Sequence, residues 1–282
     1  MIVDAHQHFR DPARGDYGWL KPDNPIHRVF STADLRPLLV QTGVDATLLV
    51  QAAPTAAETD YMLGIARKTP WVLGVVGWID LEAADAANEV RRRAADPLFL
   101  GVRPMLQDLP DPDWILQRSL DSALNAIVAE GLVFDALILP HQIAAITELA
   151  GRHPQLSIML DHAAKPPLGD ADAMGAWARA IEALAARPNI TCKVSGLLTE
   201  VRPGGGKDDI VRAIGGLFDL FGPQRLLCGS DWPVLTLSNC FAGAGDYQAW
   251  FELAREAIAA KDSSAVRAVM GGNALRIYRP RS

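Results

Sequence analysis

The sequence predicts an α/β chain folded as one (β/α)8 barrel spanning residues 1–282. Three observations predict it. Eight short runs rich in β-branched residues alternate with eight amphipathic runs, as strands and helices do in such a barrel. Take one mouth-facing position per strand end: His8, Gln51, Trp78, Arg103, Leu139, His162, Ser195 and Asp231. They recur at a mean spacing of about 32 residues, the length of one strand–helix unit. The connections that follow strands are longer than those that lead into them, which gathers the long loops on the face where a barrel keeps its active site.

Strand 1 is expected at Ile2–His8, followed by a long connection, Phe9–Phe30, that carries Trp19, Pro22, Pro25 and His27. A helix over Thr32–Thr42 follows, with Ser31 or Thr32 placed to cap it ahead of Asp34. The next units pair Ala46–Gln51 with a helix over Ala57–Lys68, and Val72–Ile79 with one over Leu81–Ala95. Phe99–Met105 precedes a helix over Asp113–Glu130, begun by Asp113 and ended by Gly131. Leu132–Leu139 precedes Ile143–Arg152, and Ser157–Ala163 precedes Ala173–Arg187. Ile190–Gly196 precedes Asp208–Phe221, and Arg225–Trp232 precedes Tyr247–Ala260. Several strand runs are apolar on consecutive residues, as suits parallel strands buried on both faces. An open doubly wound sheet would offer the same alternation, but no glycine-rich phosphate turn follows strand 1.

Charge and cysteine usage exclude several function classes. Lys and Arg total 27 against 33 Asp and Glu, a formal net charge of −6. The densest basic run, Arg91–Arg93, lies beside Glu89 and Asp96, so no nucleic-acid surface is expected. Three scattered cysteines (Cys192, Cys228, Cys240) make neither a disulfide framework nor a thiolate metal site. The longest apolar run, Trp71–Ile79, is nine residues long, too short to cross a membrane. With no basic leader at the start, the expected location is the cytoplasm.

The chemistry gathers at strand ends. His6 and His8 are two apart, so both imidazoles point to the same side, as a metal-ligand pair or a polar clamp on a substrate oxygen. His162 ends strand 6 and Asp231 ends strand 8, which neighbours strand 1 in a closed barrel. Each has a plain structural reading: a strand-end polar pair, a core histidine, the cap of a turn. Four converging together are better read as a site, with Asp231 as a general base on water.

These residues resemble the amidohydrolase superfamily, and most closely its sugar-lactonase branch, the fuconolactonase and rhamnonolactonase type. The resemblance runs through nearly the whole chain: Asp4–Phe9 with Trp19-Leu20, Gly77–Leu81, Gly101–Pro104, Asp161–Pro166, Lys193–Leu197 and Gly229–Pro233. It implies hydrolysis of a sugar-acid lactone to the open aldonic acid in sugar-acid catabolism. Two-metal members carry a bridging carboxylated lysine on strand 4, where this chain has Arg103. The resemblance therefore implies at most one divalent ion, zinc, held by His6, His8, His162 and Asp231, and it includes members that need none. His141 is a further candidate ligand, though its place after Pro140 fits a helix start better.

Arg103 and Lys193 are expected on inward-facing strand positions, either to bind substrate oxygens or to form structural ion pairs. Trp19, Trp78 and Trp232 are candidates to stack on a sugar ring, and Gln51 to bind a hydroxyl or simply cap the mouth. Trp177 and Trp250, at helical positions, are expected to pack. The leading expectation is a lactonase acting on a small-molecule sugar lactone. A metal-dependent decarboxylase of the same superfamily is the alternative, and a non-catalytic sugar binder the third. The sequence leaves the oligomeric state open.

Overall fold

A computed structural model describes residues 1–279. Eight parallel strands run in chain order round one sheet: β1 (Val3–Gln7), β2 (Ala46–Val50), β3 (Val72–Gly77), β4 (Phe99–Val102), β5 (Val133–Ala136), β6 (Ser157–Leu160), β7 (Ile190–Val194) and β8 (Leu226–Cys228). The barrel closes where Gln7 bridges Trp232. The His8 amide donates to the Trp232 carbonyl at 2.7 Å, and the Asp231 amide donates to the His6 carbonyl at 2.8 Å.

The helices are α1 (Thr32–Thr42), α2 (Ala56–Ala66), α3 (Ala86–Ala94), α4 (Asp121–Ala129), α5 (Ile143–Arg152), α6 (Ala171–Ala185), α7 (Lys207–Phe221), α8 (Tyr247–Lys261) and α9 (Asn273–Tyr278). The Ser31–Asp34 capping box opens α1 as its sequence predicts. None of the helices among the described residues is long and apolar enough to cross a membrane.

The apolar residues fall into two layers. Val3, Ala5, Leu48, Val50, Val76, Leu100, Val133, Met159 and Leu227 fill the barrel, with Ala274 and Tyr278 of α9 packed among them. The second layer lies between sheet and helices. Consecutive strand residues serve opposite layers, which is why the strand runs read as continuously apolar.

Several expectations differ from the structure. β6 stops at Leu160 and β8 at Cys228, because the backbone turns left-handed at His162–Lys165 and at Asp231. The helix expected from Leu81 starts at Ala86; Asp80 holds the preceding turn by accepting from the Glu82 amide at 3.0 Å. The helix expected from Asp113 is two 3-10 turns before α4, separated by extended backbone at Gln117. α9 lies beyond the last element the sequence predicts.

Candidate active site

The strand ends deliver the four polar residues to one point. His6 Nε2 lies 3.3 Å from His8 Nε2, and His8 Nε2 lies 3.1 Å from Asp231 Oδ1. His6 Nε2 and His162 Nε2 stand 3.8 and 3.9 Å from that same oxygen. Two backbone features make this approach possible. His162 is the first of four consecutive left-handed residues, and Asp231 has a φ of 59°. Such backbone is costly away from glycine and concentrates at functional sites. Gly229 lets β1 come close: a Cβ there would meet His6 Cβ at 2.8 Å.

Each imidazole is held from behind. His8 Nδ1 donates to the Val50 carbonyl at 2.7 Å, and His162 Nδ1 bonds the Ser195 hydroxyl at 2.9 Å. His6 Nδ1 sits 3.3 Å from Asp161 and 3.4 Å from the Lys193 ammonium. Burial lowers all three imidazole pKa values, that of His162 to about 4, so all three are neutral near pH 7. Burial alone would raise the Asp231 carboxyl, but the attraction of His162 and His8 in their protonated forms outweighs it and holds the group well below the usual carboxylate range.

This donor set fits a cation. With Nδ1–H of His8 committed to a carbonyl, its bare Nε2 lone pair faces the Asp231 carboxylate. Such acceptors repel unless a proton or a metal ion lies between them. His6, His8 and Asp231 offer one ligand atom each, all within 4.8 Å of one another.

A cavity of about 220 Å³ opens over the cluster, lined by His8, His162 and Asp231 with Trp19, Arg103, Lys165 and Glu200 among others. Trp19, 38 % exposed in the long first loop, donates its indole N–H to the Ala52 carbonyl at 2.7 Å. Arg103 is held by Asp161 at 3.4 Å and by the Gln51 carbonyl, while its buried Nε has no partner.

The other expected ligand-binding residues sit elsewhere. Lys193 is fully buried beneath the site, 2.5 Å from Asp135 and 3.0 Å from Asp161, so of its two expected roles the ion pair is the one seen. Gln51 spends its amide on the Arg103 carbonyl at 2.7 Å. Trp232 packs edge-on against Phe9 and Phe30, and Trp78 is tied to Thr59 through its backbone; neither lines the cavity. His141 is exposed in the 3-10 turn before α5. Trp177 and Trp250 pack as expected, and each also donates to a carbonyl beside the site, at Ala163 and Gly229.

The amidohydrolase family profile matches residues 3–279. The chain belongs to the amidohydrolase family. It is similar to an L-fucono-1,5-lactonase of Burkholderia ambifaria, 43 % identical over 281 residues, covering 98 % of this chain and 95 % of that one. A second L-fucono-1,5-lactonase, of Burkholderia multivorans, is 34 % identical over 99 % of this chain and 96 % of its own. The crystal structure of a Burkholderia multivorans amidohydrolase with bound zinc superposes with a TM-score of 0.90 at 31 % identity, over the whole of both chains.

Sequence reasoning about this amidohydrolase missed Asp135, Asp161, Lys165 and Glu200 as site components. Asp161 directly precedes His162 and Lys165 lies three residues after it, and an acid beside an inward histidine was a usable signal. Nothing local marks Asp135 or Glu200.

Proposed function

We propose that this amidohydrolase hydrolyses a sugar-acid lactone of the L-fuconolactone type to the open aldonic acid. The observation that carries the reading is the cluster of His6, His8, His162 and Asp231, the last three of which line the cavity, in a chain 43 % identical to an L-fucono-1,5-lactonase. In this reading Asp231, kept ionised, takes a proton from water as the water oxygen attacks the ring carbonyl carbon. His162 and Arg103 face the developing oxyanion. When the tetrahedral intermediate collapses, the bond from carbonyl carbon to ring oxygen breaks and Asp231 returns the proton to that oxygen. Trp19 covers the ring from the first loop. His6, His8 and Asp231, with His162 beside them, would hold one zinc ion, which when bound would polarise the carbonyl and acidify water.

The test is acid release from a panel of aldonolactones, led by L-fuconolactone, L-galactonolactone and D-arabinonolactone, before and after chelation. Turnover is expected, with Asp231→Asn losing at least about 100-fold in kcat while its thermal melt stays that of a folded protein. Loss on chelation and recovery with zinc would place the four residues in a metal shell. Unchanged activity after chelation would leave the work to Asp231 and the histidines. No turnover of any lactone in either state would overturn the reading.

A further inference from the structure

Part of the cavity wall comes from two loops, the segment after β6 and the turn after β7, which contribute Lys165 and Glu200. Lys165 is the last of the four left-handed residues that begin at His162, so one strained turn aims both side chains into the cavity. The two loops are tied together just beyond the pair. Leu168 bridges Val201 in parallel, and the Arg202 amide donates to the Leu168 carbonyl at 2.8 Å. The two loops are therefore fixed relative to each other by backbone.

The two charges stand 3.8 Å apart, from Lys165 Nζ to Glu200 Oε1, too long for a direct hydrogen bond. Among the described residues, neither head group makes a hydrogen bond to protein. The ammonium has three donors to offer and the carboxylate about four lone-pair sites. Both side chains are about three-quarters buried, at 23 and 25 % exposure, and both line the cavity, so a ligand there can take up the bonding capacity of their head groups. A hydroxyl suits such a pair, since it accepts from the ammonium and donates to the carboxylate at once. Burial pushes the Glu200 carboxyl up, the behaviour of an anion short of donors.

We propose that Lys165 and Glu200 form a hydroxyl clamp that grips adjacent hydroxyls of the lactone ring and makes the enzyme select polyhydroxylated lactones over bare ones. The clamp rests on the lactonase reading and adds a specificity determinant to it. A site built to bind hydroxyls discriminates strongly against an analogue that lacks them, because its own polar groups are then stranded.

The experiment compares L-fuconolactone with δ-valerolactone, a six-membered lactone without hydroxyls, on the full chain. kcat and KM are measured for wild type, Glu200→Gln, Lys165→Met and the double variant. Wild type is expected to prefer L-fuconolactone. Each single variant should lower the ratio of the two kcat/KM values by roughly 10- to 100-fold, chiefly through KM for L-fuconolactone, as the loss of a charge-assisted hydrogen bond does. The double variant should lose less than the product of the singles, because both groups act on the same hydroxyls. Glu200→Gln keeps the side-chain shape and carries the test if Lys165→Met does not fold. A ratio unchanged from wild type, including an equal loss on both lactones, would overturn the clamp. So would a wild type that turns over both lactones equally, which leaves the lactonase reading standing. Wild type inactive on both would overturn the lactonase reading and the clamp with it.

Discussion

Lys193 holds its ammonium 2.5 Å from Asp135, 3.0 Å from Asp161 and 3.4 Å from His6 Nδ1. It is the cation that keeps Asp161 ionised: burial opposes the charge, and Lys193 followed by His6 overcomes it, leaving the carboxyl well below the usual range. Lys193→Met would strand two carboxylates in the interior. The expected cost is about 3–5 kcal/mol, read from urea melts. A variant as stable as wild type would show that the buried charges are not coupled as the distances indicate. His6, His8, His162 and Asp231 were legible in sequence because strand ends and chain order fix where such residues meet. Lys193 was legible only as an inward cation. Strand parity gives direction and not depth, so it could not separate a substrate ligand from a buried ion pair. Gly196 was unremarkable as sequence, yet its φ is 66° and a Cβ there would meet His162 Nδ1 at 2.5 Å. Gly196→Ala should displace His162 and lower kcat by about 100-fold, the scale of a misplaced catalytic group. Wild-type kcat in that variant would show that His162 is not held at this position for catalysis.

At the scale of elements, the start of α2 anchors the loop that carries the Trp19 contact. Thr55 caps the helix by accepting from the Glu58 amide at 3.0 Å, and Glu58 Oε2 in turn accepts from the amides of Ala52 and Ala53 at 2.9 and 2.5 Å. Ala52 also receives the Trp19 indole. Glu58 is fully buried, and burial pushes its carboxyl up from 4.5 to about 7, against the two amide hydrogen bonds. A carboxyl raised in the folded state stabilises the fold below its unfolded pKa, and that contribution is lost as pH rises through the folded value. Wild type should therefore lose up to about 3 kcal/mol relative to Glu58→Gln between pH 4.5 and pH 8, read from urea melts across that range. A constant difference between the two proteins would contradict it. The existence and order of the strands and of α1 to α8 were legible, because a 3.6-residue period alternating with continuous apolar runs is a strong signal. Their ends were not. β6 and β8 stop where site residues adopt left-handed backbone, a tertiary demand that no local propensity records. α3 starts late because a side chain of the preceding turn competes with the helix.

At the scale of the molecule, α9 plugs the end of the barrel away from the long loops and connects to the site through charge. Its Asn273 side chain donates to the carbonyls of Pro223 and Leu226 at 2.7 and 2.8 Å, which fixes the helix to the lead-in of β8. Its Tyr278 hydroxyl donates to Asp135 at 2.8 Å, and its ring lies 5.3 Å from the Lys193 ammonium. A continuous buried path thus runs from the last helix through Tyr278, Asp135 and Lys193 to His6. α9 was invisible in the sequence reading because six residues make too short a period to stand out, and what holds them is the barrel interior. Tyr278→Phe tests what the path does. Phe keeps the ring against Lys193 and removes one hydrogen bond to a charged acceptor, which should lower stability by about 1.5–3 kcal/mol in urea melts. Lys193 and Asp161 still hold His6 in that variant, so its kcat on the best lactone should match wild type. A large fall in kcat with stability unchanged would reverse the assignment, and would mean that the plug sets the geometry of the histidines rather than the stability of the barrel.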